Sequence, residues 1–151
     1  MQNSSESEKD FNHFFRQDIL KLLNNFYQLK SFRFEQFLTI WNEMKFYQLF
    51  CIPRFFPFDY RYYMKDLLKI GSEYLYDEEL YPEVRTGALY VIYAIYFNQS
   101  NRPRTKVPVS TEQWIQILKF VDFLNQAEHV DAEYVFRHLL HSDAFEFCSF
   151  F

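Results

Sequence analysis

Residues 85–98 read R-T-G-A-L-Y-V-I-Y-A-I-Y-F-N, and this stretch decides the fold of the chain. Between positions 88 and 97 it carries no charge and no helix breaker, so a helix here is apolar on every side and must be buried. It is too short to cross a bilayer, which takes about 20 apolar residues. Gly87, Val91 and Ala94 share one stripe at helical spacing, which suits close approach of another helix, whereas the tyrosines need partners for their hydroxyls.

The length and composition of the chain are typical of single-domain globular proteins. A length of 151 residues suits one hydrophobic core, and 49% hydrophobic with 24% charged residues argues against disorder. Only two glycines accompany 20 Phe and 12 Tyr, which favours helices over sheets and over glycine-rich nucleotide loops. A net charge of -4 argues against a general nucleic-acid binder but leaves room for a local basic patch.

The cysteines and the N-terminus indicate an intracellular protein. Cys51 and Cys148 are too few and too far apart for a disulfide framework, so reduced thiols are expected. The start is polar and acidic, unlike a secretory signal, which predicts a cytoplasmic or nuclear protein. We assign residues 1–10 to a mobile polar lead and residues 11–151 to a single helical domain.

Apolar residues recurring every three or four positions predict six main helices. The predicted helices run from about Asp10 to Leu29, Ser31 to Phe50, Asp59 to Tyr74, Pro82 to Asn98, Ser110 to Ala127, and from Asp131 onward. Ser110 with Gln113 forms a capping box, and Ser31 and Asp131 are the predicted caps of their helices. The expected fold is all-α, a small antiparallel bundle or short helical solenoid around the buried central helix 85–98.

Two aromatic segments are candidates for a partner surface. Pro53 and Pro57 exclude a helix from the loop 51–59, and the terminal segment 144–151 is apolar for a free end. We expect this end to dock on the core, to meet another chain, or to meet a missing downstream part of the protein. The candidate partner residues of the two segments are Phe55, Phe56, Phe58, Phe150 and Phe151.

A third candidate is the loop 99–108, which holds Arg102, Arg104 and Lys106 and is the most concentrated basic segment. It is either a solvated connection or a contact for phosphate or an acidic partner.

The sequence predicts no enzyme, cofactor or metal site. It contains no P-loop, G-x-G-x-x-G, H-E-x-x-H or paired C-x-x-C motif. His138 and His141 share a helix face, but zinc sites usually need four ligands, which would require Cys148 or Asp143 nearby. A nucleophilic Cys51 would need a histidine brought to it by the fold.

Several residue blocks follow the order and spacing of a known family. They comprise Arg33-Phe34-Glu35-Gln36-Phe37, Trp41, Met44-Lys45-Phe46 and Phe50-Cys51, then Arg85, Gly87-Ala88-Leu89-Tyr90, Tyr93 and Tyr96, and finally Trp114, Leu118-Lys119-Phe120, Ala127, His129, Asp131-Ala132, Tyr134, Phe136-Arg137, Ala144-Phe145 and Phe147. This ordered set resembles subunit 1 of the small nuclear RNA-activating protein complex, from about Arg33 onward.

The resemblance implies a nuclear, non-enzymatic scaffold in the complex that binds the proximal sequence element of snRNA promoters. Such a domain holds the large Myb-repeat subunit, and the complex supports RNA polymerases II and III together with TATA-binding protein. DNA contact through this chain is then mainly indirect, with no membrane or small-molecule substrate. The charged matches Arg85, Lys45 and Arg137 are expected to form buried ion pairs with Glu35 or Asp131.

Two other functions remain open at this point. The first is a peptide-binding adaptor, similar to VHS or polymerase-tail-binding domains, which predicts a groove already formed in the free domain. The second, direct RNA binding, fits the acidic balance less well.

Overall fold

The computed structural model describes residues 2–51 and 60–149. In that part of the chain lie six α-helices, two short strands and a 3-10 turn at Phe46–Phe50. The elements are α1 (Gln2–Gln28), α2 (Phe34–Glu43), α3 (Tyr60–Tyr76), α4 (Pro82–Asn98), β1 (Val107–Val109), α5 (Thr111–Gln126), α6 (Val130–His141) and β2 (Phe145–Phe147). The predicted helical class is confirmed, with the small sheet as an addition. No helix among the described residues has the length and apolarity that a membrane span requires.

Helix α4 is the centre of the fold, as its sequence predicts. It packs against α1, α2, α3 and α6, and its residues 85–92 are all buried. A Cβ on Gly87 would lie 2.9 Å from the Leu23 side chain and 3.1 Å from that of Phe26. The absence of a side chain at Gly87 therefore lets α1 approach α4 closely, which confirms the role predicted for the small stripe.

The buried tyrosines of α4 find the hydroxyl partners that the sequence predicts. Tyr90 is fully buried and donates to the backbone carbonyl of Phe32, just before α2. Tyr96 donates to the carbonyl of Ser142, which follows α6, at 3.1 Å. These bonds tie the central helix to the segments around it.

The first two helices differ from their predicted bounds. Helix α1 begins at Gln2 rather than near Asp10, because no proline or glycine interrupts residues 2–10. The mobility assigned to that lead stays a prediction. The helix predicted from Ser31 to Phe50 is shorter. Ser31 does not cap it, since its hydroxyl accepts from the Arg33 N–H at 3.0 Å and Arg33 is the residue that precedes the helix.

Four helices are followed by a residue in the left-handed conformation that is not glycine. Lys30, Lys45, Glu128 and Asp143 have φ angles of 51°, 58°, 59° and 54°, each two residues past the end of α1, α2, α5 or α6. A left-handed residue at this position closes a helix, and glycine is its usual occupant. Both glycines of this chain instead lie inside helices, so the helix ends carry no sequence signal.

The C-terminal segment docks on the core through a sheet that the sequence does not predict. Strands β1 and β2 pair in parallel, with Val107 opposite Phe145. The Val107 N–H donates to the Ala144 carbonyl at 2.7 Å, and the Cys148 N–H donates to that of Val109 at 2.9 Å. The predicted docking is therefore confirmed for residues 144–147. The capping box of α5 is confirmed as well.

Candidate protein-binding cleft

An apolar cleft of about 510 Å³ opens between α2 and α6. Its lining consists of Arg33, Phe34, Glu35, Leu38, Tyr93, Val130, Asp131, Tyr134 and Val135. Phe34 and Leu38 are one helical turn apart on α2, and Val130 and Tyr134 are one turn apart on α6. Two helix faces thus supply the walls, and α4 supplies Tyr93 at the base.

The α6 wall exposes large apolar side chains to solvent. Val130 is 67% exposed and Tyr134 is 63% exposed, although both adjoin residues that pack in the core. Single exposed hydrophobic residues need no explanation, but two neighbours flanking an apolar cleft mark a surface that a partner can cover. The cleft therefore has the form of a groove that accepts apolar side chains.

Asp131 joins the two walls. The sequence predicts that it caps α6, but His129 precedes that helix and makes no side-chain capping bond. Asp131 instead accepts from the Phe34 N–H, at the first residue of α2, with its Oδ2 at 2.9 Å. Arg33 gives α2 no side-chain cap of its own. A carboxylate at a helix N-terminus is favourable, so α6 caps α2 across the cleft.

The tyrosine at the base of the cleft contacts one of the two histidines considered as metal ligands, His138. The Tyr93 hydroxyl lies 3.0 Å from His138 Nδ1, and the His138 ring stacks on Phe97 at 4.4 Å between centroids. In the ranges 2–51 and 60–149, no group of three His, Cys, Asp or Glu side chains is placed to hold a metal ion. His138 thus supports the tyrosine at the base, whereas His141 is exposed.

The resemblance predicts a buried ion pair of Arg85 with Glu35 or Asp131, and the structure shows other contacts instead. It is 8% exposed, and its Nε donates to the Leu75 carbonyl at 2.8 Å, near the end of α3. The guanidinium also lies 4.2 Å from the centre of the Phe120 ring, and burial lowers the pKa of Arg85. Backbone carbonyls and a ring, not Glu35 or Asp131, thus hold this cation. Lys45 and Arg137 are exposed.

The basic residues of the loop 99–108 do not converge on one point. Arg102 is exposed, with its Nη1 donating to the carbonyls of Gln99 and Asn101 at 2.9 and 2.8 Å. The Arg104 guanidinium lies over the Phe97 ring at 5.2 Å. Lys106 forms an ion pair with Asp143 at 2.6 Å, and this hydrogen bond raises the pKa of Lys106. Their role as phosphate contacts stays a prediction.

The candidate aromatic surface lies outside the described residues. This applies to Phe55, Phe56, Phe58, Phe150 and Phe151, whose role in partner binding stays a prediction.

Comparisons with known proteins identify the family. The family profile described as "Small nuclear RNA activating complex (SNAPc), subunit 1" matches residues 15–151. The chain belongs to this family. The match includes the second half of α1, which the sequence resemblance, beginning near Arg33, did not cover.

The curated relatives of this chain are also SNAPc subunit 1 proteins, in agreement with the profile. The "snRNA-activating protein complex subunit 1" of Homo sapiens is 35% identical over 130 residues, which is 86% of this chain and 35% of the human protein. The Mus musculus protein of the same name is 33% identical over 130 residues, covering 86% of this chain and 33% of its own length. The chain thus spans about a third of the length of the curated relatives it matches.

Sequence reasoning missed the exposed wall of the cleft. The core-facing side of α6 carries Val135, Phe136 and Leu139, which are buried, whereas Leu140 is 42% exposed. The signal that could have found the wall is the apolar pair on another side of the same helix, at positions 130 and 134.

Proposed function

We propose that this domain is a non-enzymatic scaffold of an snRNA-activating protein complex and that the α2–α6 cleft binds another subunit. Membership of the subunit 1 family supports the complex, because the relatives carry that name. The observation that carries the binding site is the cleft itself, with apolar walls from two helices and two exposed side chains on its α6 wall.

The partner that fits this cleft is an amphipathic helix. Such a helix inserts apolar residues at positions i, i+3, i+4 and i+7 into a groove between two other helices. Following the sequence resemblance, we assign the helix to the amino-terminal region of the large Myb-repeat subunit. Tyr134 then offers a hydroxyl beside apolar surface, which suits the centre of an interface, while the Tyr93 hydroxyl is held by His138.

The wider setting follows from the same assignment. The complex acts in the nucleus at the proximal sequence element of snRNA promoters, with RNA polymerases II and III and TATA-binding protein. Through this cleft the chain would influence DNA by positioning another subunit.

A peptide-binding adaptor of the VHS or polymerase-tail-binding kind is the second candidate. It is favoured by one observation, namely that the cleft is already open in the single chain. The two candidates differ in the identity of the helix or peptide that the cleft accepts.

The test is co-expression of this chain with the amino-terminal region of the large Myb-repeat subunit, followed by size-exclusion chromatography. The informative variant is Tyr134→Glu, which places a charge on the cleft wall. Its matched control is Tyr81→Glu, because Tyr81 is 64% exposed, against 63% for Tyr134, and does not line the cleft.

We expect co-elution of the unaltered chain and of Tyr81→Glu, and a loss of affinity of about tenfold or more for Tyr134→Glu. If both variants lose the partner equally, the cleft is not the site. If the unaltered chain elutes alone beside this subunit, the scaffold assignment is wrong and the adaptor becomes the better proposal.

A further inference from the structure

Strand β2 has one edge that no described residue pairs with. Its other edge meets β1, where the Ala144 carbonyl accepts a hydrogen bond and the Cys148 N–H donates one. Backbone groups alternate in direction along a strand, so those of Phe145 and Phe147 point away from β1. Among the described residues, none forms a backbone hydrogen bond with the N–H or the carbonyl of either phenylalanine across that edge.

The far edge of β1, in contrast, is closed. Pro108 is the middle residue of this strand, and proline has no N–H to donate to a further strand. All three residues of β1 are buried, and α3 packs against them. Strand β2 contains neither the proline nor the lysine that commonly protects a sheet edge. Its accessible part lies at Phe147, which is 58% exposed, against 8% for Phe145.

Apolar surface adjoins the open edge. The ring of Trp114 on α5 lies 5.6 Å from that of Phe147 and 4.9 Å from that of Phe145, between centroids. Trp114 is half-buried, and Leu118, one helical turn further along α5, is 42% exposed. A side chain placed beside Phe147 on this face of the sheet would therefore contact apolar groups. This position favours an apolar residue in a partner.

The opposite face of β2 carries a carboxylate. Side chains alternate along a strand, so Glu146 points to the other face from Phe147. Glu146 is exposed and forms no ion pair with a described residue, since the nearby Lys106 is bonded to Asp143 instead. Opposite charges on directly opposed residues of two strands are favourable. The position beside Glu146 thus favours lysine or arginine in a partner.

A second copy of this chain is a poor occupant of the edge. Antiparallel pairing of two β2 strands would bring both Glu146 side chains to one face of the sheet, directly opposite or diagonal to each other. Like charges in such positions repel, and directly opposite they destabilise the pair. The residue that attracts a basic partner therefore also disfavours self-association.

We propose that the free edge of β2, defined as Phe145, Glu146 and Phe147, binds an extended segment of another protein as a third strand. The segment has an apolar residue beside Phe147 and a basic residue beside Glu146. Hydrogen bonds of the backbone supply affinity, and the alternating side chains supply specificity. An amphipathic helix does not fit, because the backbone groups in its interior are already bonded to each other.

The free edge is separate from the cleft, so this proposal goes beyond the scaffold function. None of its three residues lines the α2–α6 cleft, whose walls and base come from α2, α4 and α6. The chain would then hold a helix at the cleft and an extended segment at the edge. Tyr134→Glu is therefore expected to leave binding at the edge unchanged.

The test is binding of a fluorescent peptide, acetyl-Thr-Val-Lys-Val-Lys-Thr-amide, to this chain, read by anisotropy. In antiparallel pairing with β2, a valine lies opposite Phe147 and a lysine opposite Glu146, so the valine N–H groups face the edge. One modified peptide is N-methylated at the backbone nitrogens of its valines, which removes these donors. The matched control is N-methylated at the backbone nitrogens of its lysines, which face away from the edge.

We expect the lysine-methylated peptide to bind like the unmodified one and the valine-methylated peptide to bind about tenfold or more weakly, because hydrogen bonds to the edge are lost. Phe147→Pro removes the outward N–H together with the ring, whereas Phe147→Ala removes the ring alone. The proline variant should therefore bind more weakly than the alanine variant. Glu146→Lys should prefer a peptide with glutamate in place of lysine. Circular dichroism checks that each variant is folded.

Four results would overturn the proposal. The first is no binding of the unmodified peptide to the unaltered chain at about 1 mM peptide. The second is equal binding of the two methylated peptides. The third is a Glu146→Lys chain that still prefers the lysine peptide. The fourth is an unaltered chain that is dimeric by light scattering and becomes monomeric in Phe147→Pro, because a second copy would then occupy the edge.

The outcome is independent of the cleft. Co-elution with the large subunit depends on the cleft wall at Tyr134, whereas peptide binding depends on Glu146 and Phe147. Loss of peptide binding in Tyr134→Glu would place the peptide in the cleft and would also overturn the proposal. Failure of the edge is therefore distinguishable from failure of the scaffold function.

Discussion

Replacement of Arg85 by alanine tests how the core tolerates a buried cation. The change removes the hydrogen bond to the Leu75 carbonyl and the contact with the Phe120 ring. It also leaves that carbonyl without its donor at the end of α3. We expect a large loss of stability without a change of fold, because the apolar contacts of α4 are retained.

The magnitude follows from the two contacts. A hydrogen bond to a charged group contributes about 1.5–3 kcal/mol, and a desolvated cation–ring contact contributes about 1–2 kcal/mol. Allowing for incomplete additivity, we expect Arg85→Ala to lower the free energy of unfolding by about 3 kcal/mol. For a domain of this size that corresponds to a melting temperature about 6–12 °C lower.

The assay is urea unfolding followed by circular dichroism, with calorimetry for the melting temperature. Arg137→Ala is the matched control, since Arg137 is exposed on α6 and is expected to change stability by less than about 0.5 kcal/mol. Arg85→Gln retains an amide donor without the charge, and we expect its stability to lie between those of the unaltered chain and Arg85→Ala.

Two results would refute the reasoning. One is a loss below about 1 kcal/mol for Arg85→Ala, which would mean that water replaces the guanidinium at little cost. The other is an equal loss on neutralising Asp77 and Glu78, the carboxylates whose charges favour the protonated form of Arg85. That result would show that carboxylates, rather than carbonyls and the ring, stabilise the cation.

Two further predictions concern the cleft and the buried tyrosines. Asp131→Ala removes the cap of α2 and is expected to lower the free energy of unfolding by about 0.5–2 kcal/mol. The control is Asp122→Ala on α5, which is expected to change the free energy of unfolding little. Among the described residues, the Asp122 carboxylate accepts a hydrogen bond only from Gln126. Urea unfolding measures both, and equal effects would contradict the cap. Burial raises the pKa of Tyr63 and of Tyr90 above the ordinary value of about 10. The folded state therefore retains these protons when the unfolded state loses them, so the stability is intact below about pH 10 and falls above it by up to about 1.4 kcal/mol per pH unit for each tyrosine. Unfolding curves between about pH 9 and 11 should show a shallower decline for Tyr63→Phe and Tyr90→Phe, and an unchanged decline in both would contradict this.

The sequence predicted the centre of the fold because α4 admits one environment only. An uncharged run with tyrosines on two sides and Gly87 on another has to be buried, and its side chains then decide what lies around it. Asp131 shows the opposite case. Its residue type indicates a helix cap, but a cap for the next helix in the chain and a cap for a distant one look the same in sequence.

The helix ends and the sheet could not be predicted, because neither leaves a recognisable local pattern in the sequence. Lys45 and Glu128 adopt the left-handed conformation without the glycine that usually announces it. Strand β1 is three residues long, which is too short for an alternating pattern, and its partner lies beyond two helices.

The cleft is coupled to the core through the side chain of Phe34. Phe34 lines the cleft, and its ring packs against Tyr90 at 5.1 Å and Tyr93 at 5.5 Å between centroids. Tyr90 is fully buried and bonded to the segment that leads into α2. A substitution that loosens α4 therefore displaces the α2 wall as well. Loss of partner binding in a core variant then reports a deformed cleft, whereas the same loss in Tyr134→Glu, at an exposed position, reports the interface itself.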